Sequence, residues 1–358
     1  MRRKKEPVFR KQRIASCVFF GNLDSVKTTH SRRSREVRRV SARRTKGAAS
    51  KPPKIDKLLV PIDFSPPSLE AIEFALPLLK QFRAELHLVH VFEPDYLLAS
   101  MMTMPLIVPE LEAGKRVRRH LKDVAKKYGI ELRPGNIHAL KGAPFEEICR
   151  LVPKIDIDLI VTSTRGNTGL KHLALGSTVE RIVRYSPCPV LVTRKQNRGK
   201  VPFKFGKILV PIDFSECSMK ALDYAKGLAK QFDSGLVLLH SVHIEYYVAS
   251  DEYTRYDFPL LMAQSERAAK AQMGDLVRQT KEEGFKIETA LEVGHPGDQI
   301  CAQAQDRRAD LIVTSTHGRT GLKHILIGST AEFVVRHAPC PVLVVPNHER
   351  PVITSTNT

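Results

Sequence analysis

Ser163-Thr164-Arg165-Gly166-Asn167-Thr168-Gly169-Leu170-Lys171-His172-Leu173-Ala174-Leu175-Gly176-Ser177-Thr178 lies between an apolar run, Asp158-Leu159-Ile160-Val161, and an amphipathic one, Val179 to Arg184. The first reads as a buried strand and the second as a helix. The order returns as Asp310-Leu311-Ile312-Val313, then Ser315-Thr316-His317-Gly318-Arg319-Thr320-Gly321-Leu322-Lys323-His324-Ile325-Leu326-Ile327-Gly328-Ser329-Thr330, then Ala331 to Arg336. A glycine-bearing loop between a strand and a helix N-terminus is a physical recipe for holding phosphate. Glycine lets the backbone come close, and the helix end offers N–H groups and the positive end of its dipole. The chain reads as one domain written twice around that loop.

Working outward, Lys57-Leu58-Leu59-Val60-Pro61-Ile62-Asp63-Phe64-Ser65 returns as Lys207-Ile208-Leu209-Val210-Pro211-Ile212-Asp213-Phe214-Ser215, an offset of 150 residues. The glycine loops and the Pro-Cys-Pro-Val-Leu-Val runs (Pro187 to Val192, Pro339 to Val344) return at 152, so repeat 2 carries two extra residues in between. Ser65 is placed to cap a helix with Pro66 at its first position, and Leu69, Ile72, Leu76, Leu79 and Phe82 follow at helical spacing. A second strand (Leu86 to Val91, Leu236 to His240) precedes a variable stretch (Phe92 to Pro109, Val242 to Pro259). A long polar helix (Glu110 to Tyr128, Gln264 to Glu283) and a third strand (Glu131 to Leu140, Lys286 to Val293) come next. A Gly-x-Pro turn, a short helix, the Asp-Leu-Ile-Val strand, the loop, a last helix and a last strand complete each unit. Five strands alternating with four helices predict an α/β fold: two tandem, doubly wound, five-stranded parallel-sheet domains. The expected boundaries are a tail over 1–54, domains over 55–194 and 207–346, a polar linker over 195–206 and a short C-terminal tail over 347–358.

The formal charge of +19 is concentrated at one end. Residues 1–54 hold 18 Lys and Arg against Glu6, Asp24 and Glu36, a net +15, which leaves +4 for the other 304 residues. Polyanion binding therefore belongs to the tail if it occurs at all. The tail has no hydrophobic period and reads as disordered; a targeting segment, a nucleic-acid arm or a start site set too early also fit its composition. No run of about 18 apolar residues suggests a membrane span. The cysteines (Cys17, Cys149, Cys188, Cys217, Cys301, Cys340) show no CxxC or metal spacing. Cys149 and Cys301 match between repeats, as do Cys188 and Cys340, which suits small buried thiols in a reducing cytoplasm.

These residues resemble the universal stress protein family. Its opening Pro-x-Asp-x-Ser is matched by Pro61 to Ser65 and Pro211 to Ser215. Its nucleotide signature ends in two glycines with nine residues between them, followed by Ser or Thr, as in Gly166, Gly176 and Ser177, and in Gly318, Gly328 and Ser329. The family's first signature glycine is Ser163 here and Ser315 in repeat 2. Serine serves if the position needs only close approach, and weakens binding if it needs a positive φ. The resemblance covers about 55–193 and 207–346. It implies the adenine nucleotide α-hydrolase-like fold and ATP with Mg²⁺ as ligand. Carried over residue by residue, the implied nucleotide-binding positions are Pro61, Ile62, Asp63, Val91, Ser163, Gly166, Gly176, Ser177 and Thr178. In repeat 2 they are Pro211, Ile212, Asp213, Ser241, Ser315, Gly318, Gly328, Ser329 and Thr330. Asp63 and Asp213 would face the ribose, and the backbone at Val91 and Ser241 the adenine.

Plainer readings stand beside these. The glycines also serve as turn residues. Ser177-x-x-Glu180 and Ser329-x-x-Glu332 have the spacing of capping boxes, and their glutamates would repel a phosphate. Asp63 and Asp213 can cap the following helix. Lys171 and Lys323 are either phosphate cations or solvated lysines, and His90 and His240 read as packed side chains. No GxxxxGK[ST] sequence occurs and no general base stands beside the loop in sequence. The reading is thus a cytoplasmic, stress-responsive ATP-binding regulator and not an enzyme. A scaffold without nucleotide and, further off, a slow ATP-cleaving or adenylyl-transferring enzyme are its rivals. The last strands are expected to pair the two repeats within the chain, with a homo-oligomer as a further option. The 12 residues from Arg194 to Phe205 span about 40 Å fully extended, enough for that pairing.

Overall fold

The computed structural model describes residues 53–92, 107–164, 175–194, 205–243, 252–318 and 327–347. Gly166, Lys171, Lys323 and the basic tail lie outside them. In repeat 1 the elements are β1 (Lys57–Pro61), α1 (Pro66–Phe82), β2 (Glu85–Phe92), α2 (Ile107–Lys127), β3 (Ile137–Lys141), α3 (Pro144–Lys154), β4 (Leu159–Ser163), α4 (Ser177–Tyr185) and β5 (Val190–Thr193). Repeat 2 gives β6 (Lys207–Pro211), α5 (Glu216–Phe232), β7 (Gly235–Val242), α6 (Glu252–Glu282), β8 (Ile287–Val293), α7 (Pro296–Asp306), β9 (Leu311–Ser315), α8 (Ser329–His337) and β10 (Val342–Val345). The expected alternation of five strands and four helices is present in both repeats.

All ten strands form one sheet in the order β3-β2-β1-β4-β5-β10-β9-β6-β7-β8. Pairing is parallel inside each repeat and antiparallel where β5 meets β10, with Leu191 opposite Leu343. The expected joining of the repeats through their last strands is therefore seen. Strand alternation sends Leu191 and Leu343 into an apolar layer that includes Ala71, Ile72, Ala221 and Leu222 of α1 and α5. Val190, Val192, Val342 and Val344 join the opposite layer with Ile182 and Val334 of α4 and α8. Both layers run across both repeats. Each sheet face is covered, as a parallel sheet requires.

The joint has a twofold character outside the strands as well. Gln81 Nε2 donates to Gln231 O at 2.8 Å, and Gln231 Nε2 donates to Gln81 O at 3.2 Å. Phe82 and Phe232 meet edge to face beside them, ring centroids 5.8 Å apart. On the other sheet face Arg336 reaches Glu180 across the joint at 3.3 Å, and Arg194 donates to the Val335 and Arg336 carbonyls at the end of α8. Phe205, read from sequence as the end of the linker, is instead buried and packs on Phe232 with centroids 4.9 Å apart.

Other boundaries also differ from expectation. In repeat 1 the third strand covers only Ile137–Lys141, because Pro134 cannot donate to a ladder and Pro134–Asn136 closes a 3₁₀ turn. In repeat 2 helix α6 begins well before Gln264 and runs through Pro259. Asp158 and Asp310, quoted above only as strand residues, tie β4 and β9 to their neighbours. Asp158 Oδ2 accepts from the Asp56 and Lys57 amides at 2.9 and 3.0 Å, and Asp310 Oδ2 from Gly206 and Lys207 at 2.9 Å each.

Candidate functional site

Each repeat brings its opening Pro-x-Asp-x-Ser to the carboxyl end of the sheet, where open parallel sheets bind ligands. Past β6 the chain turns at Asp213-Phe214-Ser215. Asp213 Oδ1 accepts from the Ser215 amide at 3.0 Å and from Ser215 Oγ at 2.6 Å. Asp63 does the same with Ser65, at 3.0 and 2.5 Å. The residue between them, Phe64 or Phe214, has φ of 63°. A left-handed phenylalanine costs on the order of 1–3 kcal/mol and persists only where its surroundings fix it. Ser65 and Ser215 fix it from one side, each also capping the next helix by accepting from Ser68 N or Ser218 N. Sequence reading identified the Asp and the Ser; the left-handed phenylalanine was missed, its only signal being a bulky residue inside a tight turn in both repeats.

In repeat 2 the start of the glycine loop, at Gly318, comes to the same place. A Cβ placed on Gly318 would stand 2.7 Å from Asp213 Oδ2, so the loop backbone passes against the carboxylate at a distance only glycine permits. The neck of the loop is closed by Gly328 N donating to Thr316 O at 2.8 Å, and in repeat 1 by Gly176 N donating to Thr164 O at 3.1 Å. Ser163 and Ser315 are buried ends of β4 and β9 and neither has a positive φ. Ser315 Oγ donates to His317 O at 2.7 Å. The serine substitutions therefore bring no backbone strain.

The capping-box expectation fails. Gly176 and Gly328 are the N-caps, with no side-chain cap bond, and Ser177 and Ser329 are the first helical residues. Ser177, Thr178, Ser329 and Thr330 thus stand at helix N-termini whose amides no cap side chain serves. The glutamates are also turned elsewhere: Glu180 pairs with Arg184 at 3.2 Å and with Arg336, and Glu332 pairs with Arg336 at 2.7 Å. Both carboxylates are thus paired with arginines, Glu180 across the joint between the repeats and Glu332 within α8.

Val91 and Ser241 are interior to β2 and β7 near their carboxyl ends, and Ser241 Oγ donates to Gly294 O at 2.7 Å. Pro61 and Pro211 end β1 and β6, and Ile62 and Ile212 follow, buried. His90 and His240 are packed as expected, on Phe64 and Phe214 with centroids 4.7 and 4.8 Å apart. The thiols of the described residues are free, and burial pushes Cys149, Cys188 and Cys340 up to about 12 and Cys301 up to about 11, which keeps them protonated. Among the described residues no group of three or more His, Cys, Asp or Glu is arranged to hold a metal, and no helix is long and apolar enough to cross a membrane.

The family model described as "Universal stress protein family" matches residues 54–194 and again 204–346. A universal stress protein of Methanocaldococcus jannaschii is 36% identical over 143 residues, 39% of this chain and 82% of its own. One from Synechocystis is 28% identical over 233 residues, 65% of this chain and 71% of its own. The crystal structure of a universal stress protein from Archaeoglobus fulgidus shares the fold, with a TM-score of 0.59 over 82% of this chain and 98% of that one at 23% identity. Two matches of one family model, set on two copies of one strand–loop–helix site in a shared sheet, give the identification: the chain belongs to the universal stress protein family, as a tandem two-domain member.

Proposed function

We propose that this chain is a stress-responsive regulatory protein that binds ATP at the carboxyl ends of both half-sheets. The observation that carries the reading is the contact between Asp213 Oδ2 and Gly318, which places a carboxylate beside a glycine loop that opens into an uncapped helix. The residues fit a nucleotide: first-turn amides of α4 and α8 suit phosphates, and a carboxylate set back from them suits ribose hydroxyls. Ser163, Ser177 and Thr178 would line the first site with Asp63, and Ser315, Ser329 and Thr330 the second with Asp213. Mg²⁺ would arrive on the phosphates, since protein ligands for it would be at most one or two carboxylates.

Binding without turnover is the favoured reading. Fast phosphoryl transfer needs a positioned base and charge clamps, and the sequence carries no GxxxxGK[ST] phosphate loop to supply the clamp. We place this regulator in the cytoplasm, where buried thiols stay reduced. Thermal unfolding of the full chain with Mg-ATP tests the reading. At about 100-fold over Kd the ligand adds about 2.7 kcal/mol per site to the native state and raises Tm. No rise at millimolar Mg-ATP leaves a scaffold held together by its paired repeats as the better account.

A further inference from the structure

We propose that His90 and His240 are positioning residues for the site of their own repeat, fixing the site aspartate through Nδ1–H; the inference rests on the nucleotide reading above. His90 Nδ1 lies 2.6 Å from Ile62 O, and His240 Nδ1 lies 2.6 Å from Ile212 O. A carbonyl only accepts, so in both repeats the proton is on Nδ1. The free imidazole prefers its proton on the other nitrogen, so the site selects the less common tautomer.

The bond acts where the strand ladder stops. Ile62 N still donates to Val89 O at 2.8 Å and Ile212 N to Leu239 O at 2.7 Å, the last backbone ties between these strands. On the same residue an imidazole takes the isoleucine carbonyl, and the chain then enters the left-handed turn at Phe64 or Phe214. The same imidazole meets the phenylalanine ring on the far side of the aspartate, tilted 41° in repeat 1 and 42° in repeat 2. Each histidine thus holds the residue before the aspartate by a hydrogen bond and the residue after it by ring contact. With Ser65 or Ser215 on Oδ1, the carboxylate has a fixed orientation, and in repeat 2 that orientation sets Oδ2 against Gly318. A histidine that merely filled core volume would need neither the Nδ1 tautomer nor a particular neighbour at its ring edge.

Asparagine carries an N–H at the branch position that Nδ1 occupies in histidine, whereas phenylalanine keeps the ring and loses the donor. In the full chain, His90→Phe/His240→Phe weakens Mg-ATP binding about tenfold, the scale of one lost hydrogen bond, and His90→Asn/His240→Asn stays within about threefold of the parent. ¹⁵N NMR of the unaltered protein finds both imidazoles protonated on Nδ1, a readout that needs neither ligand nor variant. The Nε2–H tautomer at both positions overturns the proposal, as does a Phe variant that binds like the parent or an Asn variant no better than the Phe one. Where the parent itself binds no Mg-ATP, the nucleotide reading falls first, and the tautomer result then stands as a fact about the turn alone.

Discussion

Gly297 in repeat 2 faces Phe333 so closely that a Cβ there would come within 2.6 Å of the ring. The matching pair in repeat 1 is Phe145 and Arg181, with the guanidinium 4.9 Å from the ring centroid. The bulky group has changed sides of one helix contact, so the repeats differ in side chains while keeping the same spacing. A second difference carries a pH dependence. His87 Nδ1 and His138 Nε2 are 3.1 Å apart on adjacent strands of repeat 1, where repeat 2 has Val237 and Ala290. Burial is the largest influence on both and pushes His138 down to about 4, with His87, Arg118 and Lys154 adding to it; His87 is lowered too, with Lys57 adding and Glu85 opposing. Below the ordinary histidine pKa near 6.5 the unfolded chain takes up protons that the folded one refuses. Stability is therefore full above about pH 6.5 and falls as pH drops toward 4. The loss of Tm between pH 7 and pH 4.5 should be smaller in His138→Ala by roughly 3 °C, the effect of about 1 kcal/mol in a protein of this size. Equal acid sensitivity in calorimetry of the two proteins would contradict this. The Asp63 and Asp213 turns were readable because the same Pro-x-Asp-x-Ser opening stands in both repeats. The histidine pair was not, since it joins positions 51 apart through strand register that sequence spacing does not reveal.

Among the elements, the last strands matter most for how the repeats hold together. β10 has a Val-Leu-Val-Val sequence, and an edge of that kind invites pairing unless covered. Within the chain β5 covers it, at a local concentration no second molecule matches. Residues 204–358 produced alone should then dimerise through β10, while β5 keeps that edge occupied in the full chain. Light scattering with circular dichroism checks this: a folded, strictly monomeric fragment at high micromolar concentration contradicts it. Most elements were legible from periodicity and from Ser65, which caps as its place before Pro66 suggests. The failures have physical causes. Ser177 and Ser329 lost the cap position to the preceding glycine, because the loop neck is closed by the glycine amide and not by a side chain. Lys226, buried, pairs with Glu283 at 2.9 Å, a contact between positions 57 apart that the sequence reading did not single out.

At the scale of the molecule, doubling turns two five-stranded units into one ten-stranded sheet with a near-twofold joint, and puts the Asp63 and Asp213 turns at the carboxyl ends of separate half-sheets. That organisation was legible because both halves repeat the same Asp-x-Ser opening, the same loop and the same last strand. The basic tail and the glycine at 166 lie outside the described residues. The central claim is that each half-sheet holds one nucleotide. Isothermal titration of the full chain with Mg-ATP tests it most directly. We expect saturable binding of two ATP per chain, reduced to one by Gly318→Val, because a branched side chain there collides with Asp213 and blocks the approach of phosphate. No saturable heat up to millimolar Mg-ATP, or a stoichiometry that Gly318→Val leaves at two, would contradict the account.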